Sequence, residues 1–272
     1  MHTESVPQSA SEVSPRDRFL TVYGRKPVLE VLADPALRVD KVVLADNARG
    51  QQVQEIRSTA EHAGVPVQRA TAHRVKVLAG NGKQDQGVLA DVVAPRMRPL
   101  AAALAEARPP RRVVLLDGVT TPANVGMILR TATAAGIDGI VVPRRGVASL
   151  DPLIVKASAG VAFHAPVLRC GDPAEAAQLL ATAGYPLFGL AGDSGRSLFE
   201  ATFATRAAFA VGGETSGLSD GVRNHVTDWV SIPMPGPVES LNVSAATSVL
   251  CYELLRRDRS GGDGTSSSSR PT

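Results

Sequence analysis

The run Ile232-Pro-Met-Pro-Gly-Pro-Val-Glu-Ser-Leu-Asn-Val-Ser244 packs three prolines and a glycine into its first six residues. Proline fixes φ and removes a backbone donor, so neither a regular helix nor an inner strand can form there. Then Ser240, Asn242 and Ser244 alternate with Leu241 and Val243, and an apolar helical pattern begins. Val243, Ala246, Leu250 and Leu254 keep an i, i+3, i+7, i+11 stripe, the core face of a helix over Val243–Arg256. The run therefore reads as a rigid irregular loop that stops at a helix N-terminus. Free backbone N–H groups and small polar side chains gather at such a place, as in a binding site.

Upstream of this loop, strands are expected at Val113–Leu116, Gly139–Val142, Leu187–Leu190, Ala207–Val211 and Trp229–Ile232. Helices are expected between them at Val125–Ala135, Asp151–Ser158 and Ala174–Ala183. Alternation of this kind implies a mostly parallel sheet covered on both faces. Ligands of such sheets sit beyond the carboxyl ends of the strands. A smaller α/β/α module precedes it, with strands at Val42–Leu44, Val65–Gln68 and Val88–Val92 and helices at Pro27–Leu32 and Gln51–Ala63. The expected organisation is a polar tail over 1–18, the small module over 19–95, an Ala-rich linker over 96–110, the larger domain over 111–259, and a Gly/Ser-rich tail over 260–272.

Two further loops follow predicted strands. Asp117-Gly-Val-Thr-Thr-Pro-Ala-Asn-Val-Gly-Met-Ile-Leu-Arg130 places Asn124 as a candidate helix cap, Gly126 in the first turn and Arg130 one turn on. Val211-Gly-Gly-Glu-Thr-Ser-Gly-Leu-Ser219 carries Gly212, Gly213 and Gly217 around Glu214. Taken singly, the first also reads as a capped helix with a solvated arginine. The second also reads as a glycine turn with a carboxylate at a helix N-terminus. Three such loops at one sheet edge favour a shared site. Gly217 is followed by Leu218 where a phosphate loop needs Lys-Ser/Thr, and no G-x-G-x-x-G fingerprint stands at a strand–helix junction, which disfavours nucleotide triphosphates and NAD.

The net charge of +3, with 24 arginines against five lysines, permits a nucleic-acid partner without requiring one. Cys170 and Cys251 lack metal-ligand spacing and are expected as free thiols in a reducing cytosol. Neither a signal peptide nor a membrane-length apolar run is expected, and the reading is cytoplasmic.

The three loops resemble the three motifs of the SpoU (TrmH-type) branch of the SPOUT RNA methyltransferases. Asn-x-Gly-x-x-x-Arg is matched by Asn124, Gly126 and Arg130. Gly-x-Glu-x-x-Gly is matched by Gly212, Glu214 and Gly217, and Ile-Pro-Met running into Ser-Leu-Asn-Val-Ser by Ile232–Met234 and Ser240–Ser244. Tyr23-Gly24-Arg25-Lys26-Pro27-Val28-Leu29-Glu30-Val31-Leu32 is similar to the start of that family's L30e-like RNA-binding domain. The family's usual His-Gln-Gly step is Asp85-Gln86-Gly87 here, and aspartate repels phosphate where histidine need not.

The resemblance implies an α/β fold whose larger domain is a trefoil-knotted, mostly parallel sheet, and a homodimer. It implies methyl transfer from S-adenosylmethionine to a ribose 2′-oxygen of structured RNA, with 23S ribosomal RNA favoured by the L30e-like module, and no metal. Some relatives in antibiotic producers protect the ribosome from the drug. The implied catalytic group is Arg130 with Asn124, Glu214, Ser240 and Asn242; the implied cofactor cradle is Gly212, Gly213, Ile232, Met234 and Leu241. Alternatives are a transfer-RNA ribose methyltransferase and a non-catalytic RNA-binding or ribosome-assembly protein on the same scaffold.

Overall fold

The computed structural model describes residues 18–79, 85–192, 196–213 and 216–260. The two expected tails, except for their innermost residues, and Glu214 lie outside these ranges.

The first unit runs β1 (Phe19–Tyr23), α1 (Arg25–Ala33), β2 (Val39–Ala45), α2 (Gln51–His62), β3 (Val67–Ala70), α3 (Ala72–Ala79) and β4 (Val88–Val93). Its sheet has the order β1-β4-β2-β3, with only the β2–β3 pair parallel. Two of these elements escape the sequence reading. In α3 only Val75 is buried, so there is no apolar stripe to detect. β1 is tied to β4 across the sheet by Thr21, whose hydroxyl donates to Asp91 at 2.7 Å.

The second unit runs β5 (Arg98–Pro99), α4 (Leu100–Leu104), β6 (Arg112–Asp117), α5 (Pro122–Ala134), β7 (Gly139–Val141), α6 (Pro152–Ala157), β8 (Val167–Arg169), α7 (Pro173–Thr182), β9 (Leu187–Leu190), β10 (Ala207–Gly212), α8 (Asp220–Arg223), β11 (Asp228–Val230) and α9 (Val243–Ser260). Its seven strands are ordered β11-β9-β10-β6-β7-β8-β5, and every pairing is parallel. The stretch read as a linker is partly built into this sheet: β5 pairs with β8 at its edge, and Leu100 and Ala103 of α4 are fully buried. β6 is buried at all six positions, as expected of a central strand covered on both faces. Val114 and Leu116 join the apolar cluster containing Leu129 of α5 and Leu250 of α9. Val113 and Leu115 join the one containing Leu180 of α7 and Val222 of α8.

The chain builds β6, β7 and β8 to one side, crosses to β9, and returns with β10 against β6. That order reversal puts a crevice beyond the carboxyl ends of β6, β10 and the strands outside them. Arg112, only 8% exposed, donates to the Ala204 carbonyl at 2.6 Å and to Asp258 at 3.1 Å. Arg257 donates to the Leu198 carbonyl at 2.7 Å and to that of Ala201. These bonds hold the 198–204 segment against the C-terminal end of α9.

Candidate active site

β6 and β10 are in register, Leu116 opposite Val211 and Asp117 opposite Gly212, so the first two loops leave the sheet side by side. The glycine loop then folds tightly on itself and on its neighbour. A Cβ at Gly212 would lie 2.3 Å from the Gly217 carbonyl carbon, and one at Gly213 would lie 2.5 Å from the Gly118 oxygen. Backbone occupies the space a side chain would need, which is why glycine stands at both positions. The Gly217 N–H donates to the Gly213 carbonyl at 3.0 Å. The buried Asp117 carboxylate accepts the Ser219 N–H at 2.6 Å and so closes the loop against β6.

The third loop is anchored at its ends. The Ser231 N–H donates to the Arg196 carbonyl at 2.8 Å, and the Leu198 N–H to the Ser231 carbonyl at 2.7 Å. At the far end Asn242 Oδ1 accepts the Ser244 N–H at 2.9 Å and the Ser244 hydroxyl at 2.6 Å. Its Nδ2 donates to Asn124 Oδ1 at 3.1 Å. Residues 233 and 235–242 are exposed.

Around these loops lies a cavity of about 520 Å³, bounded by Gly212, Gly213, Ile232, Met234, Ser240, Leu241 and Asn242 together with Leu190–Gly192, Leu218, Arg223 and Trp229. All five residues expected as a cofactor cradle are in its wall. The size suits a ligand of a few tens of atoms. Aliphatic side chains from the 190–192 stretch and from the second and third loops, with glycine backbone between them, suit a flat heterocycle. Ser240 and Asn242 add the neutral polar groups at the wall.

The expected catalytic residues are distributed differently. Asn124 does not cap its helix. Pro122 at the first helical position moves the start of α5 forward, Thr121 takes the cap position in an extended conformation, and Asn124 becomes a buried first-turn residue bonded to Asn242. Gly126 serves helix packing, since a Cβ there would lie 2.5 Å from Ala157 Cβ and 2.9 Å from the Ile154 carbonyl of α6. Arg130 is exposed on α5, outside the cavity wall, and neither Ser240 nor Asn242 bonds to it. Glu214 lies outside the described residues.

Sequence reasoning missed Asp117 as an anchor and Arg223 and Trp229 as wall. Asp117 was detectable as the lone carboxylate ending an otherwise apolar strand; Trp229 is the only tryptophan of the chain. Burial pushes the thiols of both Cys170 and Cys251 up to about 12, which disfavours the nucleophilic thiolate. Among the described residues no group of three His, Cys, Asp or Glu side chains could hold a metal ion. Among them, too, no helix is long and apolar enough to cross a membrane.

In the first unit Asp85 is part of a turn. Its carboxylate accepts the Gly87 N–H at 2.7 Å, while Gln86 Oε1 accepts the Arg25 N–H at 3.1 Å. Gln86 and Gly87 both have positive φ. Lys26, Arg49, Arg69, Arg74 and Lys76 are exposed on the same unit.

Comparison with known proteins gives one answer along the chain. Residues 111–252 match the SpoU rRNA Methylase family, and residues 21–98 match the RNA 2′-O ribose methyltransferase substrate binding family. The 23S rRNA (guanosine-2′-O-)-methyltransferase RlmB of Xanthomonas axonopodis pv. citri is 34% identical over 239 residues, spanning 87% of this chain and 96% of its own. An uncharacterized tRNA/rRNA methyltransferase of Mycolicibacterium vanbaalenii is 34% identical over 244 residues, 88% of this chain and 77% of its own. The SpoU methyltransferase AviRb from Streptomyces viridochromogenes, in complex with the cofactor AdoMet, superposes with a TM-score of 0.60 at 26% identity, covering 89% of this chain and 91% of AviRb.

Proposed function

The chain belongs to the SpoU rRNA methylase family, and on that premise we propose that it methylates a ribose 2′-hydroxyl of 23S ribosomal RNA, with the 520 Å³ cavity holding S-adenosylmethionine. The observation that carries the reading is the Asn124–Asn242 hydrogen bond. It joins the first motif to the third beside a cavity already walled by the second and third. Three stretches far apart in sequence thereby serve one site.

Bound S-adenosylmethionine supplies an electrophilic methyl group, so the chain has only to hold the two reactants in line and manage charge on the attacking oxygen. Gly212, Gly213, Ile232, Met234 and Leu241 form the cradle. Asn242, locked by Asn124 and Ser244, and the exposed Ser240 present neutral polar groups toward the ribose. Arg130 is assigned to charge stabilisation and not to proton abstraction, because its side chain offers donors and no acceptor. Its exposed position suits a phosphate beside the target ribose and the negative charge that grows on oxygen in the transition state. Glu214 is assigned to the glycine loop rather than to proton transfer.

The first unit binds RNA through its exposed lysines and arginines, supported by the substrate-binding family match over 21–98. Two copies associate through α5 and α9, whose outer faces expose Met127 and Tyr252. We assign the family's knot to the region where α9 is bonded to the 198–204 segment. A cytoplasmic location follows from a ribosomal substrate.

Mapping ribose methylation across ribosomal RNA, with and without the active protein, tests the substrate. One 23S position should gain a methyl group; no change at any ribosomal site would move the substrate to transfer RNA. Arg130→Ala should lower kcat about 10²- to 10³-fold while S-adenosylmethionine binds within about twofold of normal.

A further inference from the structure

Among the described residues lining the cavity, Arg223 bears the only charged side chain. It belongs to none of the three motifs. The guanidinium lies over the Trp229 ring, 5.2 Å from its centroid, and Nε donates to the Leu218 carbonyl at 3.0 Å. A Cβ built on Gly217 would lie 4.0 Å from Nη2, which places that nitrogen beside the glycine loop. Neither Nη nitrogen bonds to another described residue. The group is thus held by its ring face and by one edge, and its fork of donors is left for a ligand.

S-adenosylmethionine carries two cations, the sulfonium and the ammonium, and one anion, its carboxylate. A permanently charged guanidinium in the same cavity repels the first two and gains from the third, which it can bind through two parallel hydrogen bonds. We infer that Arg223 binds the α-carboxylate of the cofactor's methionyl portion and so sets which end of the cofactor lies on the α8 side of the cavity. The inference rests on the assignment of this cavity to S-adenosylmethionine.

Calorimetry on the full chain separates the two. The ligands are S-adenosylmethionine, its decarboxylated analogue, and 5′-methylthioadenosine, which lacks the amino-acid portion. Arg223→Ala is expected to weaken S-adenosylmethionine about 10- to 100-fold and to leave the other two within about twofold. Arg223→Gln should show the same pattern while retaining a stem over Trp229, and stands in should the alanine variant melt below the wild type. Equal loss for all three ligands would mean that Arg223 stacks on adenine, and no loss for any would mean that it binds nothing; either overturns the inference. If the wild-type chain binds none of the three, the cavity assignment itself fails and the inference with it.

Discussion

Two walls of one cavity are made by opposite means. The glycine loop is held by contact at its described residues, 212–213 and 216–219: backbone packs against backbone, the Gly217 N–H reaches Gly213, and a buried carboxylate closes it. The proline loop, 232–241, is largely exposed, and among the described residues it is hydrogen-bonded only where it begins and ends. Its shape comes from three fixed φ angles. The first wall depends on the rest of the fold and should fail abruptly; the second carries its restriction in its own covalent structure and should weaken gradually.

The largest effect is expected at Gly212→Ala. A methyl group 2.3 Å from the Gly217 carbonyl carbon forces the loop apart, with a loss of about 3 kcal/mol in thermal or urea unfolding and of measurable S-adenosylmethionine binding. A variant with wild-type stability would show that the glycine loop is as adaptable as the proline loop, and the contrast would be gone.

Asp117→Ala comes next. It takes the acceptor from the Ser219 N–H and empties the site of the buried carboxylate, at a cost of about 2 kcal/mol, whereas Asp117→Asn keeps an acceptor and should recover most of it. Equal damage from both would assign the effect to lost charge instead of a lost bond.

Asn242→Ala should be smaller in stability, about 1 kcal/mol, because the residue is exposed, yet it removes the link between the first and third loops. Its signature is a fall in kcat with KM for S-adenosylmethionine nearly unchanged; a pure KM effect would place Asn242 in the cradle.

The mildest change is Pro235→Ala or Pro237→Ala. Each frees one φ angle in an exposed loop and should leave the melting temperature unchanged, weakening S-adenosylmethionine about two- to fivefold through added loop entropy. A loss as large as that at Gly212 would reveal contacts made by the prolines themselves.

Much of this arrangement was readable from the chain. The alternation after Arg111 foretold the parallel sheet, because each strand and helix carries its own apolar period. The five residues that the family resemblance implied as a cofactor cradle all stand in the cavity wall. What escaped was tertiary. Asn124 has the chemistry of a cap, and Pro122 alone decides that it is not one. Gly126, legible only as a glycine in the first turn of a helix, proves to be the contact for α6. The Ala-rich stretch at 98–104 has the composition of a linker, but β8 and the core beneath α4 claim it. Arg130 stands where the first motif requires, yet only the packing of α5 puts it on the surface outside the cavity wall.

By itself the sequence determined the two α/β units, the identity of the three loops and the chemical character of the cavity wall, since local period, φ restriction and side-chain type are properties of short stretches. Only the tertiary structure decided which groups meet. Asp117 lies 102 residues from Ser219 and Asn124 lies 118 from Asn242. No local rule joins such pairs; the strand order β11-β9-β10-β6 does, by bringing three distant strand ends to one edge.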